Sequence, residues 1–581
     1  MDSSKMESIP FPPPTAHDSY IASSASSGVL KNIAIERGSY IASSNSSTIL
    51  KTGGNEKNEA PTWKPTPHEL AIMLSLALIS LMVSLDATIV ITSLSTIVRA
   101  LNATSTGGFW IGTAYLLTCA ATMPFTTSLS SIFGRPPLLL LSLALFTAGT
   151  LLCALSHALP LLLAGRCVQG IGGGGIISLS LIIFTDIVPL RFRSKYYGII
   201  QGAWALGTCI GPVVGGVFVQ KASWRWVFYV MFPFCGIGFA AVGGLLTLKP
   251  KTESLGEKMK KVDWAGGVLF IASCTSFLVA VSWGGTQEPW ASWRTIVPLV
   301  LGALGMLATG VWERYGAKQP FLPGDLFYCP SAFAAYFGAT VQGFLLYGVL
   351  YYGPLYFLSI RLLSPIPTGL SILPTTVALV PASVAVGAIV SRVGHFRWAI
   401  WSGWLLTTLS HGLMILWDVH TPTAVWVVIM ILLGLGHGLV LNAQNFAAQA
   451  IAKRKQEGEA ASMYAFLRSL GMALGVGVGG SVFQNVMKVK LGHFHLPLEI
   501  ASNAEAYIET VKHMPVDSVM RAQVLESYVY GLMGVFGLFC GMAGLALVAS
   551  AFVGRFVLDK ELESEHKLAE NRWSRGLNNM V

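Results

Sequence analysis

The chain has 581 residues, of which 53% are hydrophobic and only 11% are charged, and its mean hydropathy is +0.61. A soluble domain carries about 25% charged residues, so this chain cannot cover a globular surface with polar groups. A soluble enzyme, a disordered scaffold and a nucleic-acid-binding module are therefore excluded, despite the net charge of +10. The composition is that of a membrane protein.

The chain begins with a polar tail, residues 1–66, that is rich in Ser, Pro and Gly. Residues 19–31 recur with few changes at 39–51. Two copies are too few to bury a core, and the composition predicts disorder. No basic segment followed by an apolar one opens the chain, so we expect no cleavable signal peptide.

Beyond this tail, apolar segments long enough to cross about 30 Å of hydrocarbon recur along the chain. Each must be helical, because lipid offers no partner for unpaired backbone groups. The sequence thus predicts an all-α membrane protein with fourteen spans, at approximately 70–94, 108–133, 137–156, 159–187, 196–219, 225–248, 263–285, 293–313, 331–359, 367–391, 397–417, 422–450, 460–487 and 527–556.

Basic residues are concentrated in the loops that follow even-numbered spans, as with Arg135, Arg191 and Lys258. The positive-inside rule therefore predicts that both termini lie in the cytosol, with the long loop 488–526 outside. We expect a plasma-membrane location, with the vacuolar membrane as the alternative. Asn102 opens the sequon Asn102-Ala-Thr in the first outward loop and is a predicted glycan acceptor.

The usual signatures of catalysis and metal binding are missing from the sequence. No GxxxxGK[ST] loop, HExxH or GxSxG motif occurs, and the eight cysteines lie in or beside apolar runs without ligand spacing. The run Gly170-Ile-Gly-Gly-Gly-Gly matches GxGxxG, but it lies inside span 4 and is better explained by close helix contact. We expect no enzyme activity, cofactor or metal.

Span 5 contains the most specific pattern, GTCIGPVVGG. Its small residues recur four apart on one helix face, and the proline bends the helix. The pattern predicts either a kinked, tightly packed helix or a flexible contact between two moving halves, and the two are compatible. Its residues are Gly207, Gly211, Pro212, Gly215 and Gly216.

This pattern resembles the antiporter motif of the major facilitator superfamily, and stretches in spans 1 and 4 match further motifs, among them Arg166-Cys-Val-Gln169-Gly. With fourteen spans, the chain is similar to the fungal-type fourteen-spanner drug:proton antiporters, which export drugs and toxic secondary metabolites. The resemblance implies two six-helix bundles with a substrate site between them. The implied parts are bundles 67–249 and 329–557, a linker 250–328 with two extra spans, and a cytosolic tail 558–581.

The loop between spans 2 and 3 departs from the family pattern G-x-L-x-D-x-x-G-R-[KR]. Gly134 and Arg135 are kept, but Ser131 replaces the aspartate that helps to close the cytoplasmic side in the family. The resemblance implies a cytoplasmic gate of Gly134, Arg135, Arg191 and Arg392, with a weakened latch or one built from other residues.

Two ionisable residues within the spans are functional candidates, because charges in lipid are costly unless they are paired. Asp86 in span 1 and Arg166 in span 4 fall at similar depth, and spans 1 and 4 are neighbours in the superfamily. We hypothesise that they form a proton-sensitive pair. The alternatives are a static ion pair, or an aspartate that caps a break in the helix.

Polar and aromatic residues elsewhere in the spans are candidates for substrate contact. Broad apolar cavities use few polar groups, so each is weighed against a purely structural role, such as anchoring at the interface for the tyrosines. The candidates are Gln169, Gln342, Tyr347, Tyr351, Asn442, Asn445 and Arg468.

Together these features predict a monomeric, proton-driven exporter of small amphipathic organic compounds that works by alternating access. One alternative keeps the fold but imports an iron chelate or nutrient with protons. Another is a transporter-like nutrient receptor, which the short tail after Arg555 disfavours. The antiporter motif favours export over import.

Overall fold

A computed structural model describes residues 63–102, 105–246, 254–285, 287–318, 320–322, 324–453 and 456–556. This part of the chain is almost entirely helical, as predicted. Its long helices, in chain order, are α1 Pro67–Ala100, α2 Ser105–Phe133, α3 Arg135–Ala154, α4 Leu159–Ile187, α5 Leu190–Lys221, α6 Trp226–Leu245, α7 Trp264–Trp283, α8 Trp293–Tyr315, α9 Pro330–Ser359, α10 Pro365–Val393, α11 Arg397–Met414, α12 Thr423–Ile451, α13 Glu457–His493 and α14 Val519–Ser550. The predicted tail repeat and the C-terminal tail lie outside the described residues.

These helices coincide with the fourteen predicted spans, although several extend a few residues further. Of the described helices, thirteen are long and apolar enough to cross a membrane. The remaining one, α11, has 18 residues and is less apolar because it carries Arg397, His411 and three tryptophans. It packs against α12 and α14.

Local sequence signals explain where the helices begin and end. At the start of α1, Thr66 and Glu69 form a capping box, in which each side chain accepts a hydrogen bond from the other residue's backbone N–H. Pro67 occupies the first turn, where a missing N–H costs nothing. The other end of a helix is illustrated by α10, which stops at Gly394 with φ of 73°.

The two ends of α1 define two sides of the molecule, because its last turns lie against the helix Ala504–His513 and its start lies at the other end. We call the side with the start of α1 the tail side, and the side with residues 494–518 the loop side. On the loop side two short helices, Glu499–Ser502 and Ala504–His513, lie between α13 and α14.

The helices fall into two sets by their contacts. Helices α1 to α6 pack among themselves, as do α9 to α14. The two sets meet where α5 packs against α10 and α2 against α13. Helix α7 packs against α2 and α13, and α8 packs against α7. The exact bundle boundaries predicted above stay predictions, because residues 247–253 are not described.

The glycine run in α4 lies against two neighbouring helices. A Cβ atom on Gly174 would collide with the carbonyl of Cys119 in α2, and one on Gly172 with the backbone of Phe146 in α3. The GxGxxG match is therefore a packing surface, in which small residues let backbones approach in lipid.

Candidate transport site

The two charges predicted to meet do form an ion pair. Arg166 Nη1 donates to Asp86 Oδ2 at 2.8 Å, and neither side chain is exposed. Gln169 donates from Nε2 to Asp86 Oδ1 at 2.9 Å and accepts from Arg166 Nη1 at 2.7 Å. The carboxylate is thus held by two donors, which satisfies a buried charge that would otherwise be costly.

The guanidinium is fixed from two further directions. Arg166 Nε donates to the carbonyl of Ile111 at 2.9 Å, and its Cζ lies 4.4 Å from the centroid of the Tyr115 ring. The Tyr115 ring also lines a small cavity between the two sets of helices. Tyr115 therefore touches both the ion pair and the cavity, a role that nothing in the sequence of span 2 indicates.

That central cavity has a volume of about 20 Å³, which is enough for about one water molecule. Its lining comes from both sets, with Trp204 of α5 facing Tyr347 and Arg468. The Trp204 and Tyr347 ring centroids lie 6.1 Å apart. Two of the predicted substrate contacts, Tyr347 and Arg468, thus meet at this place, and Trp204 is an addition that the sequence did not indicate.

Other predicted cavity residues are not among those that line the central cavity in this state. Gln169 belongs to the ion-pair network and Gln342 contacts Arg468. Asn442 donates to the carbonyl of Ser383 at 2.9 Å, between α12 and α10. Asn445 accepts from Gln449, one turn along the same helix, at 3.1 Å.

The antiporter-like residues of α5 face α1. A Cβ atom on Gly207 would collide with Ser84, one on Gly211 with Thr88, and one on Gly215 with the carbonyl of Ile89. Gly216 is also buried. The motif's glycines therefore bring two helices of the same set into backbone contact.

Pro212 in the same motif faces two ways. Its carbonyl accepts a hydrogen bond from Thr92 of α1 at 2.8 Å. On its other side, a Cβ atom on Gly369 of α10 would lie 3.2 Å from the Pro212 carbonyl carbon. The contact of this motif with the other set therefore includes Pro212, whereas Gly207, Gly211 and Gly215 face α1.

On the tail side, Arg135 is held without the family's aspartate. Its Nε lies 3.3 Å from Asp186 Oδ2, and its Nη1 donates to Ser130 Oγ at 2.6 Å and Ser131 Oγ at 3.1 Å. The hydroxyls of two serines, together with an acid from α4, replace the missing carboxylate. Gly134, directly before Arg135, has a φ of 104°, a backbone conformation that favours glycine.

The structure does not show the other predicted gate arginines, Arg191 and Arg392, at this cluster. Arg392 is exposed at the end of α10. The side chain of Arg191 lies outside what the structure describes.

Hydrogen bonds between described side chains join the two helix sets on the tail side. Arg193 Nη1 donates to Gln449 Oε1 at 2.9 Å, while its other nitrogens bind the carbonyls of Thr185 and Val188. Thr127 Oγ1 lies 2.6 Å from Ser462 Oγ. The sequence signal for the first bond is a basic residue at the start of a span, whereas nothing marks Thr127 and Ser462.

A larger cavity, of about 410 Å³, opens on the loop side between α1, α9 and the helix Ala504–His513. At its edge Tyr351 Oη donates to Glu505 Oε1 at 2.8 Å. Burial raises the pKa of the Glu505 carboxyl above its usual range, although this hydrogen bond opposes the shift. Tyr351, a predicted cavity residue, thus lines the loop-side cavity instead of the central one.

Asn102 is exposed on the loop side, just after α1. Its φ of 48° is a turn conformation that asparagine tolerates. The rest of its sequon lies outside the described residues.

The fold and this site define a class, a multi-pass helical membrane protein with a buried ion pair beside a cavity between two sets of helices. The sequence pattern described as the Major Facilitator Superfamily matches residues 76–476. The chain belongs to this superfamily, and it is a transporter rather than an enzyme.

Similar proteins include several that are named as fungal efflux pumps or transporters. The chain is 39% identical to "MFS transporter L2" of Phoma sp. over 516 residues, which cover 88% of this chain and 86% of that protein. It is 33% identical to "Efflux pump FUS6" of Gibberella moniliformis (86% and 90% covered) and 33% identical to "MFS-type efflux pump LUC4" of Fusarium sp. (87% and 91%).

Solved structures share the fold at low sequence identity. The proton:xylose symporter XylE superposes with a TM-score of 0.54 at 13% identity, covering 84% of this chain and 98% of its own. The human organic anion transporter MFSD10 gives 0.52 at 17% identity, with 84% and 100% covered. These identities show a common fold and nothing about the substrate.

Proposed function

We propose that this transporter exports small amphipathic organic compounds, such as a toxin or other secondary metabolite, in exchange for protons. The buried pair of Asp86 and Arg166 carries the proposal. Among the described residues, Asp86 is the carboxylate that pairs with an arginine in the middle of the helices, and the Tyr115 ring that packs on this arginine also lines the central cavity. The names of the similar fungal proteins support export.

Protonation of Asp86 would weaken its hold on Arg166 and free the guanidinium to move. Because Tyr115 stacks on Arg166 and lines the cavity, that movement changes the cavity wall. A substrate that occupies the cavity opposes the same movement. Protonation of Asp86 and occupation of the cavity by substrate thus have opposite effects on the position of the Tyr115 ring. Exchange of proton for substrate requires such an opposition.

The proposed orientation places the tail side in the cytosol of the cell, with both termini, and the loop side outside, at the plasma membrane. In this state hydrogen bonds join the two helix sets on the tail side. The larger cavity lies on the loop side. The molecule then corresponds to a form closed to the cytosol, and transport requires the opposite form as well.

The test uses purified protein in liposomes with an imposed pH gradient and a fluorescent amphipathic dye outside. With an acidic lumen, protons leave and the dye should accumulate inside, by about tenfold per pH unit for one-to-one exchange. A protonophore should abolish the accumulation. Dye that accumulates only when the lumen is alkaline would indicate symport and overturn the proposal.

Cross-linking Thr127 to Ser462 should stop transport. Their side-chain oxygens lie 2.6 Å apart, so a double cysteine variant, T127C with S462C, is placed to form a disulfide between α2 and α13. We expect oxidation to abolish dye transport and a reducing agent to restore it. Each single cysteine variant is the control, and full transport by the oxidised double variant would argue against opening on the tail side.

A further inference from the structure

Arg468 of α13 is a buried cation without a counter-charge. Only 8% of its surface is exposed. Among the described ion pairs, Arg166 has Asp86, whereas no carboxylate lies within ion-pair distance of Arg468. Its Nη2 is buried and has no hydrogen-bond partner. A buried charge in this condition is costly unless an anion joins it.

The guanidinium is held in a fixed orientation. Its Nε donates to Gln342 Oε1 at 2.7 Å, and its Cζ lies 4.5 Å from the centroid of the Trp204 ring. The backbone is fixed too, because Gly343 of α9 packs directly on the Arg468 carbonyl. A guanidinium pre-oriented in this way loses little entropy when it binds a planar anion.

A second free donor lies beside it. Gln342 Nε2 is buried and also lacks a hydrogen-bond partner. Since Gln342 accepts from Arg468 Nε, its amide nitrogen is close to the guanidinium. Two neighbouring N–H donors, one of them charged, match the oxygens of a carboxylate.

The surroundings fit the rest of an amphipathic molecule. Arg468 lines the central cavity with the aromatic rings of Tyr115, Trp204 and Tyr347. We infer that the exported compound is an organic anion whose carboxylate, or a similar anionic oxygen group, binds Arg468 while its carbon skeleton packs on these rings. This inference rests on the proposed function. The cavity of about 20 Å³ admits such a molecule only when the two helix sets separate.

The test compares an acid with its own ester, so that only the charge differs. The probes are 11-(dansylamino)undecanoic acid and its methyl ester, and binding to the detergent-purified chain is followed by dansyl fluorescence. We expect the acid to bind roughly tenfold more tightly than the ester, since charge-assisted hydrogen bonds contribute more than neutral ones. Equal affinities would overturn the inference.

Three variants separate recognition from folding. R468Q should remove the preference for the acid, because the acid loses more affinity than the ester does, while R468K should keep part of the preference. Q342E places a carboxylate where the Gln342 oxygen lies 2.7 Å from Arg468 Nε, so it should neutralise the cation and also remove the preference. R294Q, which removes an exposed arginine from the pair with Glu288, is the charge-matched control and should keep the preference.

Other results would contradict the inference. If R468Q weakened acid and ester equally, Arg468 would have only a packing role. If phosphatidylglycerol displaced the acid at comparable concentrations, the site would be a lipid headgroup site. A pH gradient that fails to move the acid, with the binding preference intact, would instead refute proton-coupled export and leave the anion site standing.

Discussion

Replacement of Asp86 by Asn is expected to abolish proton-driven accumulation. The variant keeps the shape of the side chain but cannot exchange a proton at this position. Accumulation should fall from about tenfold per pH unit to none. The buried guanidinium of Arg166 would lose its counter-charge, so we also expect a lower melting temperature, since breaking a buried pair costs about 3–5 kcal/mol.

A second variant separates coupling from stability. In D86N combined with R166Q both charges are removed, so no buried charge remains unpaired, and the melting temperature should largely recover. If the pair couples protons, the double variant stays unable to use a pH gradient although it is stable. Recovery of proton-driven accumulation along with stability would reduce the pair to a static structural element.

A counterflow assay measures alternating access separately from proton coupling. With dye at equal pH on both sides of the liposome membrane, exchange of labelled for unlabelled dye needs alternating access but no net proton movement. D86N should retain this exchange if it folds. Loss of exchange in the stable double variant would mean that the charges are required for opening itself.

Replacement of Gly211 by Ala is expected to cause the second large effect. The added methyl group would collide with Thr88 of α1, and the Ile89 backbone nitrogen lies 3.1 Å from its position. The Thr88 hydroxyl is held by the carbonyls of Ser84 and Leu85, and the Ile89 backbone would have to give by a few tenths of an ångström, so α1 and α5 must move apart. Overpacking of this kind costs about 1–3 kcal/mol, and it also shifts Asp86, which lies on α1.

Gly236 of α6 is the matched control for this variant. It is exposed, and nothing lies within 4 Å of a Cβ atom built on it. G236A should leave the melting temperature unchanged or raise it slightly, because alanine favours helix by about 1 kcal/mol over glycine. We expect G211A to melt at a lower temperature and to transport poorly. Equal behaviour of the two variants would show that the α1–α5 contact tolerates separation.

Sequence reasoning predicted the helices well because the bilayer leaves few alternatives. A long apolar run must be helical, and its ends are marked by residues such as Thr66 or Gly394. The contact between Asp86 and Arg166 was also predicted, since two costly charges at one depth have a strong reason to meet.

The rotation of each helix about its axis was much harder to predict. In water an amphipathic helix shows which face it buries, but in a membrane both faces are apolar, so the pattern carries little information. Tyr347 and Tyr351 illustrate the problem, because they lie one turn apart yet line different cavities. Asn442 and Asn445 likewise bond within their own helix set.

The sequence by itself determined the class of protein, the helices, the family motifs and the charges that had to be paired. The tertiary structure alone decided that Tyr115 contacts both the ion pair and the cavity, that serines replace the missing aspartate around Arg135, and that Arg468 stays without a counter-charge. Each of these features depends on contacts between residues that are distant in the chain, or on the orientation of a side chain. Neither can be deduced from the spacing or composition of the sequence.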